Sequence, residues 1–337
     1  MINLADSTTN KLCNRLVIVD GIPGCGKTML SSIISSLKDV EMLKYSYETE
    51  IYCLLNDFNL ISEGTATQLI KNQLDLSLYN SMMGREMNFK YTDISSVFQN
   101  PHKIKNLNRL FGKGDEFIPA KIKNENPILH LTTHGITGIS NPIVNLLHEG
   151  TLFINLRRHP IYLLRQNIWN MTNLINDQRS FWLYYKYKEL TVPTFYFGNE
   201  ELFIKSNPKE KAIYFIEWYF NKQKFNKNIK NSKYYYELSF ESLVTEPYSH
   251  LNSICNSLNS KTTYLTPKFL KKENIPRKII TDSRSRDIYK RVGWVKSSKT
   301  NFIDEFQEIK NWAFEGINKN AQNTLEKLCF EFESNIV

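Results

Sequence analysis

Leu16-Val17-Ile18-Val19-Asp20-Gly21-Ile22-Pro23-Gly24-Cys25-Gly26-Lys27-Thr28 is the stretch on which the fold turns. The apolar run 16–20 reads as a buried strand. GIPGCGKT fits the phosphate-loop pattern G-x-x-x-x-G-K-[ST], and residues 27–38 continue as a helix. Glycines let backbone N–H groups curl around an anion, and the new helix turns its positive end toward it. Lys27 adds a charge and Thr28 a hydroxyl, while Cys25 reads as a small loop filler. Strand, loop and helix together imply a cradle for a phosphorylated nucleotide built from Gly21, Pro23, Gly24, Cys25, Gly26, Lys27 and Thr28.

Outward from this unit, apolar runs at 128–132, 151–156 and 234–238 read as further strands. Helix-compatible segments lie at 142–148, 160–173, 208–227 and 241–258, with an amphipathic helical tail over 301–337. Strands alternating with helices predict an α/β fold: a three-layer α/β/α domain with a central parallel sheet. Residues 40–125 read as a largely helical insertion or lid, with helices near 48–58 and 65–79 and a loop over 111–127. The whole chain is expected to form a single phosphate-loop domain.

In parallel sheets ligands sit at the carboxyl ends of the strands. Two further motifs fall there. Thr133-His134 ends the strand at 128–132, and an imidazole in that position can take a proton from a hydroxyl near neutral pH. Arg157-Arg158-His159-Pro160 follows the strand at 151–156. An arginine there, beside a proline-initiated helix, suits two hydrogen bonds to a phosphate. Arg157 reads as solvated.

With these residues in place the chain resembles the nucleotide-dependent sulfotransferase superfamily. The resemblance rests on PGCGKT at 23–28, TTH at 132–134, RHP at 158–160, FESL at 240–243 and KRVGW at 290–294, in that order. It implies 3′-phosphoadenosine 5′-phosphosulfate as donor, with no metal needed for the transfer. It implies His134 as general base, and Lys27 with Thr28 on the bridging oxygen of the breaking S–O bond. It implies Arg158, helped by Gln166, on the 3′-phosphate. Lys290, Arg291 and Gly293 would close over the nucleotide, with Trp294 beside the adenine. The acceptor, a small molecule or a glycan, would lie against residues 40–125 and 175–230.

The chain departs from the family's pattern at four points. Gly24 stands where the family's loop carries lysine, Lys27 where it carries threonine, Thr132 where lysine precedes T-H, and Gln166 where serine follows the arginine. The G-K-T that results is the loop of nucleoside triphosphatases, and VDGIPGCGKT also resembles the first motif of some viral helicases. A kinase or triphosphatase using ATP with Mg²⁺ is therefore the alternative reading. It needs a carboxylate at a strand end to hold the cation. Asp20, Glu237 and Glu241 are the candidates, and Glu241 doubles as the acid of the family's Y-E-D-L segment.

The 337 residues carry a net charge of +9, which favours anionic ligands. The basic residues are scattered without a long Lys/Arg block, so nucleic acid is the third reading and not the expected partner. Five cysteines show neither paired nor metal-ligand spacing, as expected of reduced thiols in the cytoplasm. The first residues, MINLADSTTNKLCNRL, show no apolar signal region, and no window approaches the roughly 18 apolar residues of a membrane span. The aromatics of 181–227, including Ile213, Phe215, Ile216 and Phe220 in one helical stripe, read as core more readily than as a stacking platform. Nothing in the sequence indicates an oligomeric state.

Overall fold

The computed structural model describes residues 12–173, 178, 182–280, 293, 298–299 and 301–334. The chain divides into two compact units. The first comprises residues up to Gly21, Gly26–Arg157 and Gln223–Pro276; the second comprises Ile22–Cys25, Arg158–Lys222 and residues from Arg277 on.

The first unit holds β1 (Leu16–Asp20), α1 (Lys27–Ile34), β2 (Lys44–Tyr45), α2 (Tyr47–Asp57), α3 (Glu63–Met83), α4 (Lys103–Asn108) and α5 (Ile118–Glu125). Then come β3 (Leu129–Thr132), α6 (Asn141–Val144) and β4 (Thr151–Arg157). The second unit contributes α7 (Pro160–Asn173), the hairpin β5 (Tyr184–Tyr187) and β6 (Leu190–Pro193), α8 (Glu200–Lys205) and most of α9 (Pro208–Phe225). The chain returns to the first unit for α10 (Lys227–Lys230), β7 (Tyr235–Ser239), α11 (Phe240–Thr245), α12 (Pro247–Ser257) and α13 (Thr266–Lys272). It ends in the second unit with α14 (Phe302–Phe314) and α15 (Lys319–Ser334).

The sheet of the first unit runs β2-β3-β1-β4-β7, and every neighbouring pair is parallel. Period-2 alternation sends the strands' side chains to opposite faces. Leu16 and Ile18, with Leu129, Leu131 and Phe153, pack against Cys53 of α2, Ile70, Leu74 and Leu78 of α3, and Ile122 of α5. On the other face Ser31 of α1 and Ser35, the residue that caps its end, meet Thr132 (2.9 Å) and His130 (3.2 Å). Helices thus cover both faces, as an all-parallel sheet requires. Burial holds the His130 imidazole down at about 3, so it stays neutral at physiological pH.

Several segments differ from their sequence reading. Residues 40–125 are largely helical, and α2, α3 and α5 contribute to the core on one face of the sheet, with Ile143 of α6 and Ile229 of α10 in the same cluster. The stretch at 111–127, read as loop, contains α5, started by Pro119 in its first turn. The helix expected over 142–148 ends at Val144. That over 241–258 is two helices, because Pro247 begins the second and cannot continue the first. The tail from 301 is likewise two helices, α14 and α15, with Gly316 at positive φ between them. The two-residue edge strand β2 and the hairpin β5–β6 carried no signal in the sequence.

In the second unit α7 packs against α14 and α15. His159, placed by sequence at a strand end, is buried there. Its ring lies 5.1 Å from Phe306 and 5.2 Å from Phe332, and Nε2 is 3.1 Å from Glu333. The aromatics of the hairpin region pack on one another: Phe195 lies 4.5 Å from Phe215 and 5.0 Å from Trp182. Ile213, Phe215, Ile216 and Phe220 are all buried.

A buried ion pair pins the first unit's loops. Arg109 Nη2 donates to Glu41 Oε1 at 2.8 Å, Nη1 donates to Oε2, and Ser81 Oγ adds a third donor at 3.0 Å. Burial alone would push the Glu41 carboxyl up. Arg109, Lys105 and Ser81 outweigh it and hold the group below the usual carboxylate range. Glu41→Ala is expected to cost about 3–5 kcal/mol in urea unfolding by leaving Arg109 buried and uncompensated, while the Glu41→Met/Arg109→Met double variant costs less. Because the native pKa is lowered, the stabilisation is complete above the unfolded value of about 4.3 and fades as pH falls through the lower native value. Glu41→Gln should therefore flatten the acid limb of the stability curve.

Candidate active site

The phosphate-loop backbone depends on three glycines. Gly21, Gly24 and Gly26 take φ of 149°, 90° and 106°. A Cβ on Gly26 would lie 2.4 Å from the Phe240 ring, and one on Gly24 would lie 2.9 Å from Gln166 Cβ. Gly26 caps α1 in the left-handed conformation without a side-chain cap, and the helix has no acid in its first turn. The positive end of the helix faces the loop. Lys27 is buried and its ammonium donates to the Gly21 carbonyl within the loop. Cys25 is buried, in keeping with a filler role, and Thr28 is exposed.

β1 is flanked by β3 on one side and β4 on the other, with Val19 opposite Thr132 and Asp20 opposite Asn155. The chain leaves β1 toward one edge of the sheet and later crosses to the other. This is the switch point where parallel sheets open a crevice at their carboxyl ends. The segment after β3 therefore starts beside the segment after β1. Asp20, wholly buried, fixes that geometry. Its carboxylate accepts from Thr133 Oγ1, from the backbone N–H groups of Gly135, Ile136 and Thr137, and from Thr137 Oγ1, at 2.5–3.1 Å.

His134 sits in the segment so held. Its Nδ1 is 2.9 Å from Glu50 Oε1, which also accepts the His134 backbone N–H at 3.1 Å. The ring is stacked near Tyr47 (5.6 Å, 15° between planes) and Tyr45 (5.9 Å, 12°). With Nδ1–H directed at a carboxylate, Nε2 presents a lone pair, the arrangement of an oriented general base. Burial and the Glu50 charge push the Tyr47 phenol up, so it remains protonated.

The remaining motif belongs to the second unit. Arg158 is buried, donates from Nη1 to the Gly24 carbonyl at 3.0 Å, and places its guanidinium 5.2 Å over the Tyr162 ring. Asn167 donates to the Pro23 carbonyl at 2.9 Å. Gln166 backs Gly24 with its Cβ and donates to Asn170 at 2.9 Å. Arg158 and Gln166 thus both engage the central part of the loop.

Arg157, read as solvated, instead pairs with Glu237 at 2.6 Å. Burial would push the Glu237 carboxyl up, but Arg157 and the Tyr235 hydroxyl hold it below the usual range. Glu241 accepts from Ser239 at the cap of α11. All three carboxylates considered for a cation, Asp20, Glu237 and Glu241, therefore have protein partners. Turning Asp20 toward an ion would break five hydrogen bonds. Gly293 lies in an exposed turn with φ of 76°, while Lys290, Arg291 and Trp294 lie outside the described residues.

Sequence reasoning missed Glu50, Tyr45 and Tyr47. Glu50 and His134 are 84 positions apart, and no spacing rule connects them.

No protein-family model matches this sequence, and no curated protein does. A solved structure it is similar to is the sulfotransferase domain from the Synechococcus PCC 7002 olefin synthase. The two share 14% identity over 92% of this chain and 98% of that one, with a TM-score of 0.40. At that score the overlap carries no argument about chemistry, which is read from this chain's own residues. Among the described residues no helix is long and apolar enough to cross a membrane.

Gly26→Ala should destabilise the protein by more than the ~1–2 kcal/mol of a left-handed alanine. In a Phe240→Ala background the same change should cost only that backbone term. The excess, measured by chemical denaturation as a double-mutant cycle, is the ring collision.

Proposed function

We propose that the protein is a sulfotransferase that moves a sulfuryl group from 3′-phosphoadenosine 5′-phosphosulfate to an acceptor hydroxyl or amine. The observation that carries this reading is the Glu50–His134 pair, held at the end of the strand beside the phosphate-loop strand. Such a pair suits removal of one proton from a nucleophile. A triphosphatase would rely chiefly on a cation and its carboxylates.

The residues present fit the donor. Glycines at positive φ and a helix start without a side-chain cap suit an anion, and Cβ atoms at Gly24 and Gly26 would collide with Gln166 and Phe240, so only glycine keeps this loop backbone. The donor supplies an activated sulfuryl group on its 5′-phosphate. Gly21 to Thr28 hold that end, with Lys27 moving from the Gly21 carbonyl to the bridging oxygen. His134 Nε2 accepts the acceptor's proton as the new O–S bond forms and the S–O bond to the 5′-phosphate breaks. The bond's electrons leave with 3′-phosphoadenosine 5′-phosphate, where Lys27 and Thr28 stabilise the charge. Arg158 binds the 3′-phosphate, with Gln166 as a neighbouring donor; Lys290, Arg291, Gly293 and Trp294 are assigned to closure over the nucleotide. Lys27 would serve ATP with Mg²⁺ as well. The prior engagement of Asp20 and Glu237 favours the metal-independent donor.

His134→Ala is expected to lower kcat by ~10²–10⁴-fold while leaving 3′-phosphoadenosine 5′-phosphate binding unchanged. Joint loss of both would make His134 structural. Glu50→Gln should lower kcat and alter the pH–rate profile at unchanged nucleotide affinity. Arg158→Ala should weaken 3′-phosphoadenosine 5′-phosphate far more than adenosine 5′-phosphosulfate, by calorimetry. Equal weakening would mean that Arg158 only supports Gly24.

A further inference from the structure

Tyr45 belongs to two features. Its ring neighbours His134, and it also lines a cavity of about 280 Å³ in the same unit, between β2 and the C-terminal end of α3. Lys44 shares β2 with it; Arg85 and Glu86 stand just past α3, and Met42 and Met87 are part of the apolar wall. The volume lies at the small end of ligand pockets, enough for one sugar ring or a molecule of that size.

The polar groups of the wall differ in what they have left to offer. Glu86 is engaged at both oxygens, by Lys44 Nζ at 3.0 Å and Asn80 Nδ2 at 2.7 Å. Ser81 Oγ donates to Glu41, and Ser95 Oγ donates to Asp93 while accepting from Asn88. Lys44 keeps two ammonium hydrogens. Among the described residues the Arg85 guanidinium has no hydrogen-bond or ion-pair partner, and it lies 5.7 Å from the Tyr79 ring. The unspent hydrogen-bonding capacity is therefore cationic and donating, which matches a carboxylate or sulfate gripped by a guanidinium fork. Tyr45 links that grip to the imidazole.

We propose that this cavity is the acceptor site and that Arg85, with Lys44, selects small hydroxylated acids, sugar-sized molecules bearing a carboxylate or sulfate. The acceptor role rests on the sulfotransferase reading; the preference for an anion rests on the cavity alone. The two separate in one set of experiments on the full chain, by calorimetry with glucuronate, glucose 6-sulfate and glucose, and by sulfuryl transfer to each. Both charged sugars should bind at least ten times more tightly than glucose. Arg85→Met, at an exposed position, should abolish that preference and Arg85→Lys should keep part of it, with 3′-phosphoadenosine 5′-phosphate binding unchanged in both. Equal binding of the three sugars, or a preference intact in both Arg85→Met and Lys44→Met, would overturn the proposal. Charge-selective binding without transfer to any sugar, in a protein that still binds 3′-phosphoadenosine 5′-phosphate, would overturn the acceptor role alone and leave an anion site; loss of that nucleotide's binding would overturn the sulfotransferase reading instead.

Discussion

The carboxylate of Asp20 is the constraint on which the site rests. It ends the strand that feeds the phosphate loop, is fully buried, and is satisfied by five N–H and O–H donors from the segment that follows β3. A buried carboxylate without partners would cost several kcal/mol, so the 133–137 segment has little freedom to lie elsewhere. By ordering that segment, Asp20 sets where His134 begins. Glu50, from the first turn of α2, then sets how the imidazole faces. One acid thus positions the backbone and a second orients the ring, and both act on the strand next to the glycine loop.

The sheet order explains why such an arrangement can arise at all. β1 lies in the middle, and its neighbours β3 and β4 run parallel to it, so three strands end along one edge. The loop leaves the first, His134 the second and Arg157-Arg158 the third. Arg157 is the last residue of β4 and is tied sideways to Glu237 of β7. Arg158, one residue on, meets the Gly24 carbonyl instead. A one-residue step thus turns a structural arginine into one at the loop.

What the sequence disclosed and what it hid follow from the range of the interactions. The strand, the glycine loop and the start of α1 form from residues adjacent in the chain, so 16–28 could be read directly. TTH and RHP were legible because apolar runs mark where β3 and β4 stop. Glu50 was not, since it meets His134 only after β2 has paired with β3 and α2 has packed on the sheet. The fate of Asp20 was hidden for the same reason: a carboxylate available to a cation and one saturated by a loop have identical neighbours in sequence. Prolines misled in two directions. Pro119 opens α5 inside a stretch that Gly112 and Gly114 made look like loop, and Pro247 divides a run whose apolar period passes through it.

The central claim is that the glycine loop serves a 3′-phosphorylated adenosine without help from a cation. Calorimetry of the full chain with 3′-phosphoadenosine 5′-phosphate and with ATP, each with and without Mg²⁺, tests it most directly. The account predicts tight, Mg²⁺-independent binding of 3′-phosphoadenosine 5′-phosphate and weak binding of ATP in either condition. Mg²⁺-dependent binding of ATP, with 3′-phosphoadenosine 5′-phosphate binding no better than ATP does without the metal, would contradict it.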